Sequence, residues 1–223
     1  MGRETQTEQL AEAIPGVSAS ALSPTVRVAQ PRESGSLKRA LGAAFFDDPI
    51  FGWLVGRSPN RQTRLERYFA IQLDHSLADG CVWTSDGLQG AALCMPPGRW
   101  RLPPQSMIAS GGRYASVFRG RLPRAFGLLA AIERRHLRGA HHYFSNIGVA
   151  PEAQGKGLGS RLMRPTLDRC DKEGLPAYLE ASSERNAALY ERLGFQCTEV
   201  LRFAGSPPLA LMMRPPQPWP RAT

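Results

Sequence analysis

Along the chain, apolar residues recur alternately at strand spacing and at helix spacing, and the alternation predicts most of the fold. Val26-Arg27-Val28 reads as a first strand, and Ser36 to Phe46 places Leu37, Ala40, Leu41 and Ala44 three and four residues apart, on one face of a helix. Asp47-Asp48-Pro49 breaks that pattern. Asn60 to Ala78 predicts a second helix with Leu65, Phe69, Ile71 and Leu73 inward. Strands follow near Cys81 to Thr84 and Leu88 to Met95, joined by a hairpin turn at Ser85-Asp86-Gly87. A proline-rich connection from Pro96 leads into two helices, near Gln105 to Phe118 and Arg124 to His136. His142 to Val149 is then a strand, Gly157 to Glu173 a helix, Ala177 to Ala181 a short strand and Asn186 to Leu193 a short helix. Gly194 stands where a left-handed C-cap would sit, and Phe195 opens another strand. Pro165 lies inside the fourth-quarter helix, where an interior proline costs roughly 3 kcal/mol unless accommodated, so a kink is expected there.

The junction Ile147-Gly148-Val149-Ala150-Pro151-Glu152-Ala153-Gln154-Gly155-Lys156-Gly157-Leu158-Gly159-Ser160 carries the most chemistry. A strand ends at a proline, a glycine-rich turn follows, and a helix begins with Leu158, Leu162 and Leu167 available for packing. The first turn of a helix has unpaired N–H groups and the positive end of the peptide dipoles, so it attracts an anion. Glycines at 155, 157 and 159 admit positive φ and let a pyrophosphate approach the main chain, and Lys156 and Arg161 add positive charge. The dinucleotide fingerprint GxGxxG fails because its third glycine position holds Ser160. A Walker A loop fails because Lys156 is followed by Gly157 and not by Ser or Thr. A purely structural glycine turn is the remaining alternative from the residues alone.

Gln154-Gly155-Lys156-Gly157-Leu158-Gly159 resembles the Gln/Arg-x-x-Gly-x-Gly/Ala signature of the GCN5-related N-acetyltransferases (GNAT). Leu189-Tyr190-Glu191-Arg192-Leu193-Gly194-Phe195 resembles that family's late Tyr-x-x-x-Gly-Phe segment, at the family's spacing. The wording of Gln154 to Ser160, Pro176 to Glu180 and Arg185 to Phe195 is closest to puromycin N-acetyltransferase-like members. The likeness covers the C-terminal third and is thinnest between Pro96 and Arg138. It implies an α/β fold: a mixed, largely antiparallel sheet of six or seven strands flanked by helices, with its two central strands splayed apart. It also implies acetyl-coenzyme A as acyl donor and no metal. On this resemblance Ile147, Gly148 and Val149 lend main-chain groups to the pantetheine arm and the acetyl oxygen. Gln154, Gly155, Lys156, Gly157, Leu158, Gly159 and Ser160 hold the pyrophosphate, and Asn186 contacts the arm.

Acyl transfer to an amine needs a neutral nucleophile, a donor to the developing oxyanion and a proton for the departing thiolate. Tyr190 aligns with the family's tyrosine acid, and a phenol with pKa near 10 is protonated at neutral pH; the competing role is core packing. Glu180, on the strand Ala177 to Ala181 and on the same face as Tyr178, is the first candidate for the base or water relay. Its competing role is a structural acceptor. Asn186 competes with a helix N-cap role. His142 is a weaker base candidate, since a histidine at a strand start is more often at the surface, and His141 is weaker still.

Composition sets outer bounds. The 223 residues favour one domain at 25–214, preceded by a mobile tail at 1–24 and followed by a proline-rich tail at 215–223. No apolar run is long enough to span a membrane, and the start of the chain lacks a secretory pattern, so a cytoplasmic protein is expected. Cys81, Cys94, Cys170 and Cys197 contain no CxxC pair and read as buried or half-buried small apolar residues. The net charge of +9 comes from scattered basic residues with modest clusters at Arg57 to Arg67 and Arg113 to Arg138; a solvated arginine-rich surface accounts for it as well as a functional reading does, and a nucleic-acid partner is not expected. The expected partner is a small-molecule amine, an aminonucleoside or other antibiotic among the options, with a homodimer left open. A protein N-acetyltransferase and a non-catalytic coenzyme A- or nucleic-acid-binding module are the alternatives.

Overall fold

The structure is a computed structural model that describes residues 24–78, 81–101 and 104–219. The expected tail at 1–24 falls, but for Pro24, outside them. Seven strands form one sheet in the order β1-β2-β3-β4-β5-β7-β6, with β1 Val26–Val28, β2 Val82–Ser85, β3 Gly90–Met95, β4 His142–Val149, β5 Ala177–Ala181, β6 Gln196–Leu201 and β7 Leu209–Arg214. Every neighbouring pair is antiparallel except β4 and β5.

Period-two alternation divides the sheet between two cores. Along β3, Ala91 and Leu93 join Leu41, Phe69 and Val117 on one face, while Ala92 and Cys94 join Leu162, Leu167 and Phe195 on the other. The first face is covered by α1 (Ser34–Ala44), α2 (Pro49–Val55), α3 (Arg61–Leu77), α4 (Pro104–Phe118) and α5 (Leu122–Arg135). The second is covered by α6 (Leu158–Glu173) and α7 (Glu184–Glu191). Burying one Phe69 or Leu167 contributes about 1.5–3 kcal/mol, so apolar packing on both faces outweighs any single polar contact. The helix assignment of α6 continues through Pro165.

Two features depart from the sequence expectations. Asp47-Asp48-Pro49 ends α1 but also starts α2: the Asp48 carboxylate accepts from Phe51 N at 3.0 Å and Pro49 occupies the first turn. The seven-residue helix is too short for its periodicity to show. Nor is the basic cluster at 57–67 all surface: Arg57 and Arg67 are exposed, but the two arginines between them are not. Arg61 and Arg64 are buried and donate to main-chain carbonyls, Arg61 to Phe46, Phe51 and Gly56 and Arg64 to Val55 and Val117. Burial lowers both guanidinium pKa values. These arginines tie down the C-terminal ends of α1, α2 and α4, where the last carbonyls lack helical partners.

The far edge of the sheet is fastened by Arg214 at the end of β7. Its guanidinium grips both oxygens of Asp171 on α6 at 2.6 and 2.8 Å, its Nε donates to Leu193 O at 2.9 Å, and Gln217 N donates to the same carboxylate at 2.7 Å. Burial pushes the Asp171 carboxyl up, but the Arg214 and Gln217 bonds outweigh it and hold its pKa below the ordinary range. A depressed folded-state pKa means stability that is present above the unfolded value, near 3.9, and lost as pH falls through the folded value. Asp171→Asn should therefore cost about 3 kcal/mol or more at pH 7, by leaving a buried guanidinium without its counter-charge. Urea unfolding checks this, and the gap between variant and wild type should shrink below pH 4.

Candidate active site

The parallel pair β4 and β5 is joined at only three positions, His142 with Ala177, Tyr143 with Tyr178 and Phe144 with Leu179. Beyond Phe144 each strand follows its outer neighbour. β4 stays paired with β3 to Val149, after a register shift at Leu93/Cys94 that leaves Ser145 unpaired, and β5 stays paired with β7 to Ala181. A bulge of this kind bends its strand, and the sheet opens into a V between Ser145–Val149 and Glu180–Ala181. The expected splay of the central strands is present.

At the end of β4, Ala150 N bonds Gln89 O at 2.7 Å, a 3₁₀ turn spans Pro151–Ala153, and the Gln154 side chain donates to Val149 O at 2.9 Å. Gly155 and Gly157 then take φ of +76° and +75°, in the left-handed region that other residues enter at a cost of about 1–2 kcal/mol. Gly157 is the N-cap of α6, and the first helical bond runs from Arg161 N to Gly157 O at 3.2 Å. The N–H groups of Leu158, Gly159 and Ser160 precede it and lack intrahelical acceptors by geometry. The Leu158 side chain is core, so its main chain alone faces the turn. Lys156 Nζ rests on Glu152 O at 3.1 Å, and Arg161 bonds Pro24 O. Gly148 has a different reason for being glycine: a Cβ there would lie 2.8 Å from the Phe45 ring and 2.9 Å from Leu41 Cδ2, where α1 crosses the sheet.

The V opens into a cavity of about 280 Å³ beneath α4 and α5. Ile147, Glu180, Asn186 and Tyr190 all border it, so four of the residues singled out from the sequence meet there, beside Leu179. Tyr190 is buried on α7, and no hydrogen bond among the described residues takes up its hydroxyl. Burial, with the nearby Asp48 carboxyl, raises its pKa, so it is a phenol and a donor. Asn186 is not the helix N-cap: Ser183 is, accepting from Asn186 N at 3.2 Å, which leaves the Asn186 amide directed to the Ser182 hydroxyl at 3.5 Å. Glu180 accepts from Tyr143 Oη at 2.8 Å, and burial together with the Glu180 charge raises the Tyr143 pKa.

Two expectations about side chains are corrected. His142 is not at the surface but buried, with Nε2 2.7 Å from a Glu173 oxygen on the α6 side, and it does not border the cavity. Its alternation along β4 turns it away from Tyr143. Cys197 is exposed, while Cys94 and Cys170 are buried as expected. Sequence reasoning missed Asp48, which borders the cavity and accepts from the Ser182 hydroxyl, and His136, which stacks on Trp100 and faces Glu180. The helix N-cap pattern Asp-Pro could have flagged Asp48; nothing in the local pattern flags His136. Among the described residues no group of three or more His, Cys, Asp or Glu is arranged to hold a metal, and no helix is long and apolar enough to cross a membrane.

Residues 99–195 match the model of the acetyltransferase (GNAT) family. An uncharacterised N-acetyltransferase of Schizosaccharomyces pombe is 30% identical over 193 residues, covering 78% of this chain and 76% of its own. A mycothiol acetyltransferase of Streptomyces coelicolor is 39% identical over 57 residues, 24% of this chain and 18% of that protein. Among solved structures, a histone acetyltransferase HPA2 and related acetyltransferase from Corynebacterium glutamicum superposes with a TM-score of 0.67 at 26% identity, covering 90% of this chain and 99% of that one. A Drosophila melanogaster polyamine N-acetyltransferase shares the fold, with a TM-score of 0.60 at 21% identity over 86% of this chain and 98% of that one. The chain belongs to the GNAT acetyltransferase family and is an acetyl-coenzyme A-dependent N-acetyltransferase.

Asp48 supplies a test of the site's electrostatics. Burial raises its pKa, against the bonds from Ser182, Phe51 and Ile50. A raised folded-state pKa means that the folded protein binds the proton more tightly, so this contribution to stability is full below the unfolded value, near 3.9, and is lost as pH rises through the folded one. Asp48→Asn keeps a capping oxygen but cannot ionise. Its urea midpoint should therefore fall less than that of the wild type between pH 4 and pH 7, and equal falls would remove the assigned strain on Asp48.

Proposed function

We propose that this enzyme acetylates the primary amine of a small, largely apolar molecule, bound in the cavity beneath α4 and α5 with its nitrogen at Glu180. The observation that carries this reading is the cavity wall: Phe45, Tyr68, Trp100, Tyr114, Phe118 and Leu128 present rings and branched chains, and Glu180 sits among them at the mouth of the V. An aryl group gains about 1.5–3 kcal/mol on burial against such a wall, and a carboxylate beside it selects an ammonium. The resemblance to puromycin-type sequences makes an aminonucleoside antibiotic bearing an aromatic amino acid the first candidate. A protein substrate would need an open groove, whereas α4 and α5 cover this cavity.

The coenzyme end of the reading rests on the turn. Gly155 and Gly157 leave open space where a Cβ would stand, and the N–H groups that follow point out of a helix start, which suits a pyrophosphate. The arm would then lie in the V, along the stretch of β4 that has released β5, with Asn186 and Tyr190 on its other side. Bound there, acetyl-coenzyme A supplies an acetyl thioester. Main-chain N–H groups of β4 beside the V donate to the carbonyl oxygen, the Tyr190 hydroxyl donates a proton toward the sulfur, and Glu180 removes one from the ammonium. Excluding water at this point strengthens each of these interactions.

Calorimetry with the purified protein should show acetyl-coenzyme A binding in preference to NAD, and Gly157→Ala should weaken it about tenfold, from the cost of left-handed backbone. Tyr190→Phe should lower kcat about a hundredfold while the acetyl-coenzyme A Kd stays within twofold. Unchanged turnover would remove Tyr190 as the acid. Puromycin and 2-phenylethylamine should exceed spermidine in kcat/KM by about tenfold or more; preference for spermidine would reject the apolar-amine assignment.

A further inference from the structure

Helix α5 ends at Arg135, and its C-cap His136 turns extended, with ψ near 143°, which carries the imidazole under the sheet. His136 and His141 are both buried. The Trp100 indole stacks on the His136 ring with centroids 3.8 Å apart and planes 17° from parallel, and Tyr143 and Tyr178 pack T-shaped against that ring with centroids at 4.8 and 4.6 Å. A line of polar atoms then runs from the exposed loop to the cavity. His141 Nδ1 lies 2.9 Å from Gly139 O, His141 Nε2 lies 3.0 Å from His136 Nε2, and His136 Nδ1 faces Glu180 Oε1 at 3.6 Å.

The tautomers follow from the acceptor at the outer end. A carbonyl can only accept, so His141 Nδ1 carries a proton and, in the neutral ring, Nε2 does not. His136 must then donate from Nε2, which leaves its Nδ1 with a lone pair. With its carboxyl ionised, Glu180 accepts on both oxygens, one from Tyr143 Oη, so Oε1 is an acceptor too. His136 Nδ1 and Glu180 Oε1 are both buried, and neither has a hydrogen-bond partner among the described residues. Two acceptors facing each other in a low-dielectric interior is an unfavourable arrangement, and one added proton converts it into a charge-assisted bond and completes the line.

We propose that His136, held by His141 and Trp100, takes over the proton that the acceptor ammonium gives to Glu180. The assignment rests on the acetyl-transfer reading of this cavity. An N–H bond of the ammonium breaks, its electron pair stays on nitrogen for attack, the proton joins Glu180 Oε1 and then moves to His136 Nδ1. The result is an imidazolium beside a carboxylate, and nothing is oxidised or reduced. Loss of that proton to solvent restores the neutral imidazole beside the carboxylate before the next cycle. His136 acts through Glu180 and is a positioning and proton-holding residue. His141 is the fixed end of the line: burial lowers its pKa, so it remains a neutral acceptor for His136. The titratable and charged groups around His136 are Glu180, His141, the phenols of Tyr143 and Tyr178, and Arg101, whose guanidinium lies 4.6 Å from the Trp100 ring centroid. An imidazolium formed before catalysis would already occupy Glu180, so kcat/KM should rise with pH as the pair loses its proton.

His136→Gln tests this in the full chain, because an amide can still hydrogen-bond but cannot hold the proton. The variant should lose about tenfold to a hundredfold in kcat, keep its acetyl-coenzyme A KM within twofold, and show a displaced acidic limb in its pH–rate profile. Wild-type kcat with an unmoved limb would overturn the proposal. A second measurement covers a variant that folds poorly: the imidazole nitrogens of ¹⁵N-histidine-labelled wild type and Glu180→Gln are titrated by NMR. The His136 titration should move to lower pH in Glu180→Gln, and an unmoved titration overturns the coupling whether or not an amine is acetylated. Intact coupling in a protein that acetylates no amine would overturn the acetyl-transfer reading, and the catalytic use of His136 with it.

Discussion

The site depends on the point at which two neighbouring strands stop sharing hydrogen bonds. β4 and β5 pair at three residues and then separate, each held by the strand on its other side. Such a gap leaves main-chain groups without sheet partners, an expensive condition in a buried position, and it persists because β3 and β7 fix the two strands separately. The bulge at Leu93/Cys94 on one side and the regular β5–β7 ladder on the other set the divergence. Ala92 and Phe144 on one side and Leu179 and Met212 on the other are buried in one core, so closing the V would disturb packing as well as pairing.

The polar groups of the site meet at this opening. Glu180 follows immediately after the last β4–β5 pair while still paired with Leu211 of β7, and Ile147 lines the opposite edge. Tyr143, one residue before the end of pairing, holds one carboxylate oxygen and fixes where the other points. A buried carboxylate satisfied on one oxygen and unsatisfied on the other is a poor structural element and a good proton acceptor. That asymmetry favours the chemical role of Glu180 over the purely structural one that the strand pattern alone left equally open. The same logic applies to Tyr190, whose hydroxyl has no hydrogen-bond partner among the described residues although the ring is buried among Phe195 and its neighbours.

Legibility in the sequence followed the range of the interaction. The strands and long helices could be read because their apolar periodicity is local, and the turn at 154–160 could be read because Gly155 and Gly157 answer a local backbone demand, positive φ. Asp48 and α2 escaped because seven residues hold less than two heptad-spaced contacts, and the helix is fixed from a distance by Arg61. The arginines at 61 and 64 looked like surface charge because composition cannot show that their partners are carbonyls at helix ends. At Gly148 the reason for the missing side chain is the crossing of α1, which no motif contains.

His136 marks the limit most clearly. It is five residues from His141 and forty-four from Glu180 in the chain, and the three meet only because α5 ends where β4 begins and β5 lies parallel to β4. A parallel pair needs a crossover, here α6, so contacts between β4 and β5 are remote in sequence even though the strands are neighbours. The end of the V at the glycine turn is built from one continuous strand–turn–helix and is therefore a motif. The end beneath the covering helices is assembled from α2, α4, α5, β4 and β5, which no local pattern in the sequence links. The shape of the cavity thus resides in packing between elements, where the covering helices can change without altering the turn at 154–160.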